Sequence, residues 1–229
     1  MTFVIAELGS NHDGSIGRAL KLIDIAKEAG ADAAKFQLIP PFQPEWVQIL
    51  IDYCERVGIE FMATPFDQAG IEALKGKVKH WKIASTEGAD KEFVKSVIQA
   101  AGIDTIYFSD GAVEDLPLDW KYASNVVRMS CVVKYPAEDE DYHFLNGKWG
   151  LSDHTTGITL APLAVAAGAI AVEKHITDDK KREGPDHNYA LEPQELKKMI
   201  QQIRLVERIK NNKKLTITTH VGRKLQWIP

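Results

Sequence analysis

The chain has little of what marks a secreted, membrane-spanning or nucleic-acid-binding protein. Only two cysteines, Cys54 and Cys131, occur among 229 residues, which is too few for a disulfide framework and indicates a reducing compartment. No apolar run approaches the roughly 18 residues that a membrane helix needs, and the N-terminus has no basic leader. The net charge is -4 and no basic run exceeds residues 180–182, so we expect no binding of nucleic acid or anionic lipid. These absences predict a cytoplasmic protein that acts on small molecules.

Short β-branched runs alternate with amphipathic segments, which is the pattern of parallel strands joined by helices. With 45% hydrophobic residues, a chain of this length can bury one sizeable core, so we expect one α/β domain. Eight strands are predicted, the number that closes a TIM (β/α)8 barrel. A doubly wound open sheet is the alternative, although no Gly-rich dinucleotide-binding turn follows the first strand. The strands are predicted at 3–8, 33–38, 60–63, 81–84, 105–108, 126–131, 148–151 and 169–175, and the clearest helices at 16–29, 43–57, 90–101 and 193–210.

Two of the expected crossovers are poor helix candidates. Residues 109–125 are interrupted by Pro117, and residues 136–147 contain the acidic run Glu-Asp-Glu-Asp, which gives no apolar face. We therefore expect a minimal barrel over residues 1–212, with reduced crossovers between strands 5 and 6 and between strands 6 and 7. Apolar outer faces of strands 5 and 6 would then be left for a second subunit to cover. This predicts a homo-oligomer, most simply a dimer.

Two histidines close apolar runs that are one crossover apart. His154 follows the predicted seventh strand, and His175 ends the eighth. Because the C-terminal ends of barrel strands meet, the two imidazoles are expected close enough to share a metal ion. Asp153 and Asp186 lie nearby in the sequence. Manganese, zinc or iron would suit such ligands, and two hydrogen-bonded core histidines are the alternative.

Two lysines interrupt apolar strands. A buried ammonium such as that of Lys35 or Lys82 is costly unless an anion meets it. The anion is either a phosphate or carboxylate ligand, or a carboxylate of Glu7, Glu87 or Glu173 inside the barrel. Hydroxyl side chains at the strand ends favour phosphate binding; they are those of Thr64, Ser85, Ser109 and Ser152.

These residues lie within longer motifs that resemble the sialic acid synthase (N-acetylneuraminate synthase) family, which includes relatives that make other nine-carbon acidic sugars. The motifs follow the family's order and span nearly the whole chain, at 5–14, 30–37, 63–67, 82–85, 151–155, 173–175 and 184–187. The chain resembles a short form without the family's C-terminal antifreeze-like domain. Residues 213–229 resemble the start of the linker to that domain.

The resemblance implies a transferase that condenses phosphoenolpyruvate with an N-acylated aldose, such as N-acetylmannosamine, and releases phosphate. Carbon 3 of phosphoenolpyruvate would attack the aldehyde of the open-chain sugar, and water would add at carbon 2. His154 and His175 would bind a divalent ion that polarises the aldehyde, commonly Mn²⁺, with Mg²⁺, Co²⁺ or Zn²⁺ as alternatives. Glu7 would exchange protons, so the implied catalytic residues are Glu7, His154 and His175.

The same resemblance assigns substrate contacts to residues at the strand ends. Phosphate and carboxylate groups would be bound by Lys35, Thr64, Lys82, Ser85, Ser109 and Ser152. The sugar would be oriented by Gln37, Glu87, Tyr135 and Asp186. His12 and His187 lie near the expected mouth as ordinary surface or loop residues without an assigned role.

Two other functions stay open on the sequence. An aldolase or lyase on the same barrel could use a Schiff base, which needs a lysine of lowered pKa. A non-catalytic ligand-binding or scaffolding barrel is the second, because full-length members take an arginine from the partner's C-terminal domain. Val133 also stands where the resemblance expects an asparagine that contacts the phosphate ligand, and Asp110 adds negative charge beside Ser109, where the resemblance expects an anion.

Overall fold

Eight parallel strands close into a barrel in the computed structural model, which describes residues 1–112, 124–145 and 147–212 and the backbone of 217–218 and 224–225. Strand β1 pairs with both β2 and β8, so the sheet has no edge and the open-sheet alternative is wrong. The TIM-barrel prediction is confirmed. The strands are β1 (Phe3–Gly9), β2 (Ala33–Gln37), β3 (Glu60–Thr64), β4 (His80–Ile83), β5 (Thr105–Ser109), β6 (Val126–Cys131), β7 (Trp149–Asp153) and β8 (Ala171–His175).

Helices cover the outside of the barrel. The helices are α1 (Ile16–Ala29), α2 (Trp46–Val57), α3 (Gln68–Leu74), α4 (Lys91–Ala101), α5 (Leu160–Ala166) and α6 (Pro193–Asn211). All four of the clearest predicted helices are present, and α1, α2 and α4 each end at a glycine. Helix α1, for example, begins after Ser15, whose side chain accepts from the Arg18 amide, and ends at the left-handed Gly30. The additional helices α3 and α5 are each seven residues long.

The core has two layers that follow from the alternation of side chains along each strand. Outward-facing residues pack against the helices in one large apolar cluster. Inward-facing residues fill the lower lumen with a smaller cluster of Ile5, Ala33, Met62, Tyr107, Val127, Met129 and Ala171. Because this cluster closes the lower half of the barrel, the polar residues at the strand ends are confined to the upper half.

In its described residues, 132–145 and 147–148, the crossover from β6 to β7 contains no α-helix, only a 3-10 turn at Asp139–Asp141, as expected. The crossover from β5 to β6 includes residues 113–123, which lie outside the described residues. The outer side of β6 carries Arg128 and Ser130, which bind Asp110 and the carbonyl of His143 respectively. This strand therefore does not present the continuous apolar face that we expected, since its outer positions are largely polar. Oligomerisation stays a prediction.

The C-terminal segment 213–229 lies outside the described residues except for a short antiparallel pair, β9 (Ile217–Thr218) and β10 (Lys224–Leu225). Its proposed role as the start of a linker, and the boundary at residue 212, stay predictions. Within the described part of the chain, no helix combines the length and the apolar character that crossing a membrane requires.

Candidate active site at the C-terminal end of the barrel

The ends of the strands surround a small polar cavity of about 40 Å³. Its lining contains most of the residues that the sequence singled out, and these come from all eight strands or the residues that follow them. The predicted residues in the lining are Glu7, Lys35, Gln37, Thr64, Lys82, Ser85, Ser109, Tyr135, Ser152, His154 and His175. The closed barrel brings together side chains that are up to 168 positions apart, from Glu7 to His175.

Both lumen lysines are buried and each meets a carboxylate as well as a hydroxyl. The Nζ atom of Lys35 lies 2.7 Å from Glu7 Oε2 and donates to the Thr64 hydroxyl at 3.1 Å. Lys82 donates to the Ser109 hydroxyl at 2.8 Å. Glu173 lies between the two lysines, 3.7 Å from Lys35 and 3.8 Å from Lys82. The two expectations for the lysines are therefore compatible, because the ammonium groups pair with carboxylates and also face the cavity.

The two lumen carboxylates have very different proton affinities. Burial raises the pKa of Glu7 to about 7 despite the opposing charge of Lys35, and the negative charge of Glu173 adds to the rise. Burial also opposes ionisation of Glu173, but Lys35 and Lys82 together lower its pKa to about 2. Glu173 is therefore the permanent counter-ion of the lysines, whereas Glu7 is able to take up or release a proton near neutral pH.

The two histidines lie side by side, with ring centroids 5.6 Å apart. The Nδ1 atom of His154 lies 2.7 Å from the carbonyl oxygen of Val132, so Nδ1 carries the proton and Nε2 keeps its lone pair. The Nδ1 atom of His175 is buried and accepts no hydrogen bond within the described residues. Burial lowers the pKa of both imidazoles to about 4, which leaves them neutral at physiological pH.

Neutral imidazoles with free lone pairs are suitable metal ligands, so the residues present fit a divalent ion. The carbonyl of Val132 would act as the outer partner that fixes the tautomer of His154. In the described part of the chain, no group of three or more His, Cys, Asp or Glu side chains is arranged as a complete ligand set. Any ion here would thus take its remaining ligands from water or substrate, and the metal site stays a prediction.

A wider cleft of about 470 Å³ opens above the cavity and shares Gln37, Tyr135 and His175 with it. Asp186 lines this cleft, 3.7 Å from His175 Nδ1, and its carboxylate accepts from Tyr189 at 2.6 Å. Tyr135 is half exposed at the mouth, with its ring 4.3 Å from that of His154. Asp186 therefore belongs to the mouth of the site and not to its floor.

Two charged residues are placed differently from the rest. Glu87 lies in a 3-10 turn after β4, outside the cavity lining, and accepts from the Thr86 hydroxyl at 2.6 Å. Its predicted contact with the sugar is untested. Asp110 forms an ion pair with Arg128 at 2.6 Å and also accepts from the Cys131 amide at 3.2 Å. Its charge is compensated by Arg128, so the repulsion that we expected beside Ser109 is not supported.

Sequence reasoning missed several residues at the site. Cys131 lines the cavity from an inward position of β6, so strict alternation could have found it. Glu173, which the sequence offered as a possible partner of the lysines, also lines the cavity. His12 and His187 lie in loops as expected, but both are fully buried and are not surface residues. His187 lies between the Thr177 hydroxyl at 2.7 Å and the Asp13 carboxylate at 3.0 Å. It thereby ties the loop after β8 to the loop after β1.

Comparison with known proteins gives the class of the chain. The model of the NeuB family matches residues 40–214, and the chain belongs to this family. It is 33% identical over 252 residues to the spore coat polysaccharide biosynthesis protein SpsE of Bacillus subtilis, covering 90% of this chain and 67% of SpsE. It is 31% identical over 256 residues to the N,N'-diacetyllegionaminic acid synthase of Campylobacter jejuni, covering 90% of this chain and 77% of that protein.

A solved structure agrees in both fold and sequence. The N-acetylneuraminic acid (sialic acid) synthetase of Leptospira borgpetersenii superposes with a TM-score of 0.81 at 29% identity, covering 93% of this chain and 86% of that one. The predicted membership in the sialic acid synthase family is confirmed. So is the prediction that the chain is an enzyme of the synthase type.

Proposed function

We propose that the chain condenses phosphoenolpyruvate with an N-acylated aldose, with a divalent ion on His154 and His175, to give a nonulosonic acid and phosphate. The observation that carries the proposal is that two buried lysines and two neutral imidazoles line one cavity at the C-terminal end of the barrel. Relatives named as synthases of such acids support the product class.

Lys35 and Lys82 are the groups that would bind the anionic substrate. The hydroxyls of Thr64 and Ser109 hold their Nζ atoms in place without neutralising them. An incoming carboxylate or phosphate would compete with Glu7 and Glu173 for these ammonium groups. Because the cavity is only about 40 Å³, we expect the lysines to move toward the cleft as they exchange partners. Positive charge at this position would stabilise negative charge that shifts during the reaction.

Glu7 is the group that would exchange protons with the substrate or with water. A pKa of about 7 places comparable amounts of both protonation states at neutral pH, which suits a general acid and base. Its carboxylate lies on the floor of the cavity, 2.7 Å from Lys35, so binding of an anion to Lys35 would also change the proton affinity of Glu7. Substrate binding and proton transfer would thereby be linked.

His154 and His175 would hold the divalent ion through ring nitrogens that are neutral and unprotonated. When bound there, such an ion supplies Lewis acidity toward an aldehyde oxygen. The chain's own contribution is to keep the His154 ring fixed by its bond to Val132 and to place Tyr135 over it at the cleft. Gln37, Tyr135 and Asp186 are the polar groups of the cleft that would orient the hydroxyls of the acceptor sugar.

The first test is calorimetric titration of phosphoenolpyruvate into the protein, with Mn²⁺ and after chelation, followed by a phosphate-release screen over N-acyl hexosamines. We expect micromolar binding that Mn²⁺ strengthens, and its loss in the Lys35→Met/Lys82→Met double variant. Lys21→Met is the matched control, because Lys21 lies on the surface and pairs with Asp178. Absence of binding in both conditions would refute the proposal.

One observation favours a second reaction. Burial lowers the pKa of Lys82, the property that a Schiff-base lysine needs. An aldolase acting through Lys82 would be trapped by borohydride in the presence of pyruvate, with a gain in mass on Lys82. A synthase would show no such adduct and would release phosphate from phosphoenolpyruvate.

A further inference from the structure

A buried ion pair lies behind the two histidines, on the outer side of the barrel wall. Asp153 of β7 and Lys174 of β8 are register partners, and each is one residue away from a histidine. Because side chains alternate along a strand, His154 and His175 face the lumen while Asp153 and Lys174 face the helices. Both charged residues are fully buried, and Lys174 Nζ lies 2.9 Å from Asp153 Oδ1.

The ion pair is part of a closed set of contacts around His154. Asp153 Oδ1 accepts from the backbone amide and from the hydroxyl of Thr155, each at 2.8 Å. Lys174 donates to the carbonyl oxygen of Thr155 and lies 3.2 Å from its hydroxyl. The residues on both sides of His154 are therefore fixed to each other and to the strand that carries His175.

The remaining polar groups of His154 are also held. Its amide donates to the Tyr142 hydroxyl at 2.8 Å, and its carbonyl accepts from the Ala137 amide at 3.0 Å. Its Nδ1 is bonded to Val132, which leaves Nε2 directed at the lumen, 3.5 Å from the Ser152 hydroxyl. With the ring fixed at Nδ1, the position of Nε2 depends on the backbone at residue 154, which the contacts of Asp153 and Lys174 set.

A gain in the stability of the fold is a weak explanation for this buried ion pair. Two charges that lose their water on burial are often no more stabilising than well-packed apolar side chains of similar size. What a buried ion pair adds is a fixed distance and orientation between the two strands that carry it, because its hydrogen bonds tolerate little displacement. Lys174 does not line the cavity, so it is not available to bind substrate.

We propose that Asp153 and Lys174 are positioning residues, which lock the ends of β7 and β8 together and so set the spacing of His154 and His175 for a divalent ion. The inference rests on the proposed function, because it assumes that the two histidines bind the ion. Supporting partners of metal ligands commonly change metal affinity 10- to 100-fold when they are removed.

The test measures Mn²⁺ affinity directly, from the electron paramagnetic resonance signal of free Mn²⁺. The Asp153→Asn/Lys174→Met double variant removes both charges without leaving an unpaired one. We expect its dissociation constant for Mn²⁺ to rise at least tenfold, while its affinity for phosphoenolpyruvate in chelator changes less than twofold. A purely structural role would lower the melting temperature without separating these two affinities. Asp153→Asn alone, which keeps the shape and the acceptor for Thr155, is the second variant and should move in the same direction.

The matched control is Lys21→Met/Asp178→Asn, the same pair of substitutions at an ion pair of the same length, 2.9 Å, whose lysine is exposed. It should bind Mn²⁺ like the wild type. Wild-type affinity in both Asp153 variants would overturn the inference while leaving the proposed function intact. A wild-type protein that binds no Mn²⁺ would overturn both, and the two failures are distinguished by that measurement.

Discussion

Replacing Glu7 by Gln should change how stability depends on pH, because the Glu7 carboxyl has an unusual proton affinity in the folded state. Burial raises its pKa from 4.5 to about 7. Below pH 4.5 the group is protonated in both the folded and the unfolded chain. Between pH 4.5 and 7 the unfolded chain releases the proton while the folded chain keeps it. The contribution of Glu7 to the free energy of unfolding therefore falls as pH rises through this window.

The size of the effect follows from the shift. Each pKa unit corresponds to about 1.4 kcal/mol, so a rise from 4.5 to about 7 amounts to about 3 kcal/mol between pH 4 and pH 8. A glutamine has the shape of the protonated acid and does not titrate. Glu7→Gln should therefore gain about 3 kcal/mol relative to the wild type when the pH is raised from 4 to 8.

Urea unfolding followed by circular dichroism and by fluorescence, at several pH values, measures this difference wherever the two signals coincide. The difference between the two proteins isolates Glu7, because other groups titrate in both. Glu92→Gln makes the same chemical change at an exposed helix position and is the control for the substitution itself. Parallel curves for Glu7→Gln and the wild type would show that folding does not raise the pKa of Glu7, and the assignment of Glu7 as proton exchanger would fail.

Three further outcomes are expected. Lys82→Met should weaken binding of inorganic phosphate at least tenfold in calorimetry, since Lys82 is a buried cation facing the cavity; unchanged affinity would remove it from the site. Because burial lowers the pKa of His154 and His175 to about 4, Mn²⁺ should stay bound as pH falls to about 5 and be released toward pH 4, and a midpoint near 6.5 would contradict the lowered values. In Gly150→Ala the new Cβ would lie 2.3 Å from Met129 Sδ and 2.9 Å from the Ala171 carbonyl oxygen, so we expect a loss of about 1–3 kcal/mol in thermal unfolding. Gly157→Ala, with its nearest such contact at 4.0 Å, is the control, and equal losses for the two would refute the packing argument.

The strands and helices could be predicted from the sequence because they depend on patterns among neighbouring residues. Strand β6 was predicted with the bounds that it has, and helix α1 likewise, since apolar periodicity and a Ser15–Gly30 pair of caps are properties of neighbouring residues. The rule that parallel strands present their C-terminal ends together was then enough to collect Lys35, Lys82 and His154 at one site. The short helices α3 and α5 were less clear, because seven residues show no more than about two periods of the pattern.

The proton affinities and charge pairings of the site could not be predicted from the sequence. Glu7 and Glu173 both end up in the lumen, yet one has a pKa near 7 and the other near 2, because only Glu173 lies between two lysines. Likewise, the charge of Asp110 is paired with Arg128, eighteen positions away on the next strand.

The sequence by itself determined the order of the elements, the number of strands in the barrel and the residue types at the strand ends. Each of these follows from local patterns among residues that are close in the chain. The tertiary structure alone decided register, the burial of His12 and His187, and the division of charge between Glu7 and Glu173. The physical reason is that proton affinity and burial depend on groups that are distant in the chain and adjacent in space. In the protein interior the dielectric constant is low, so neighbouring charges interact strongly.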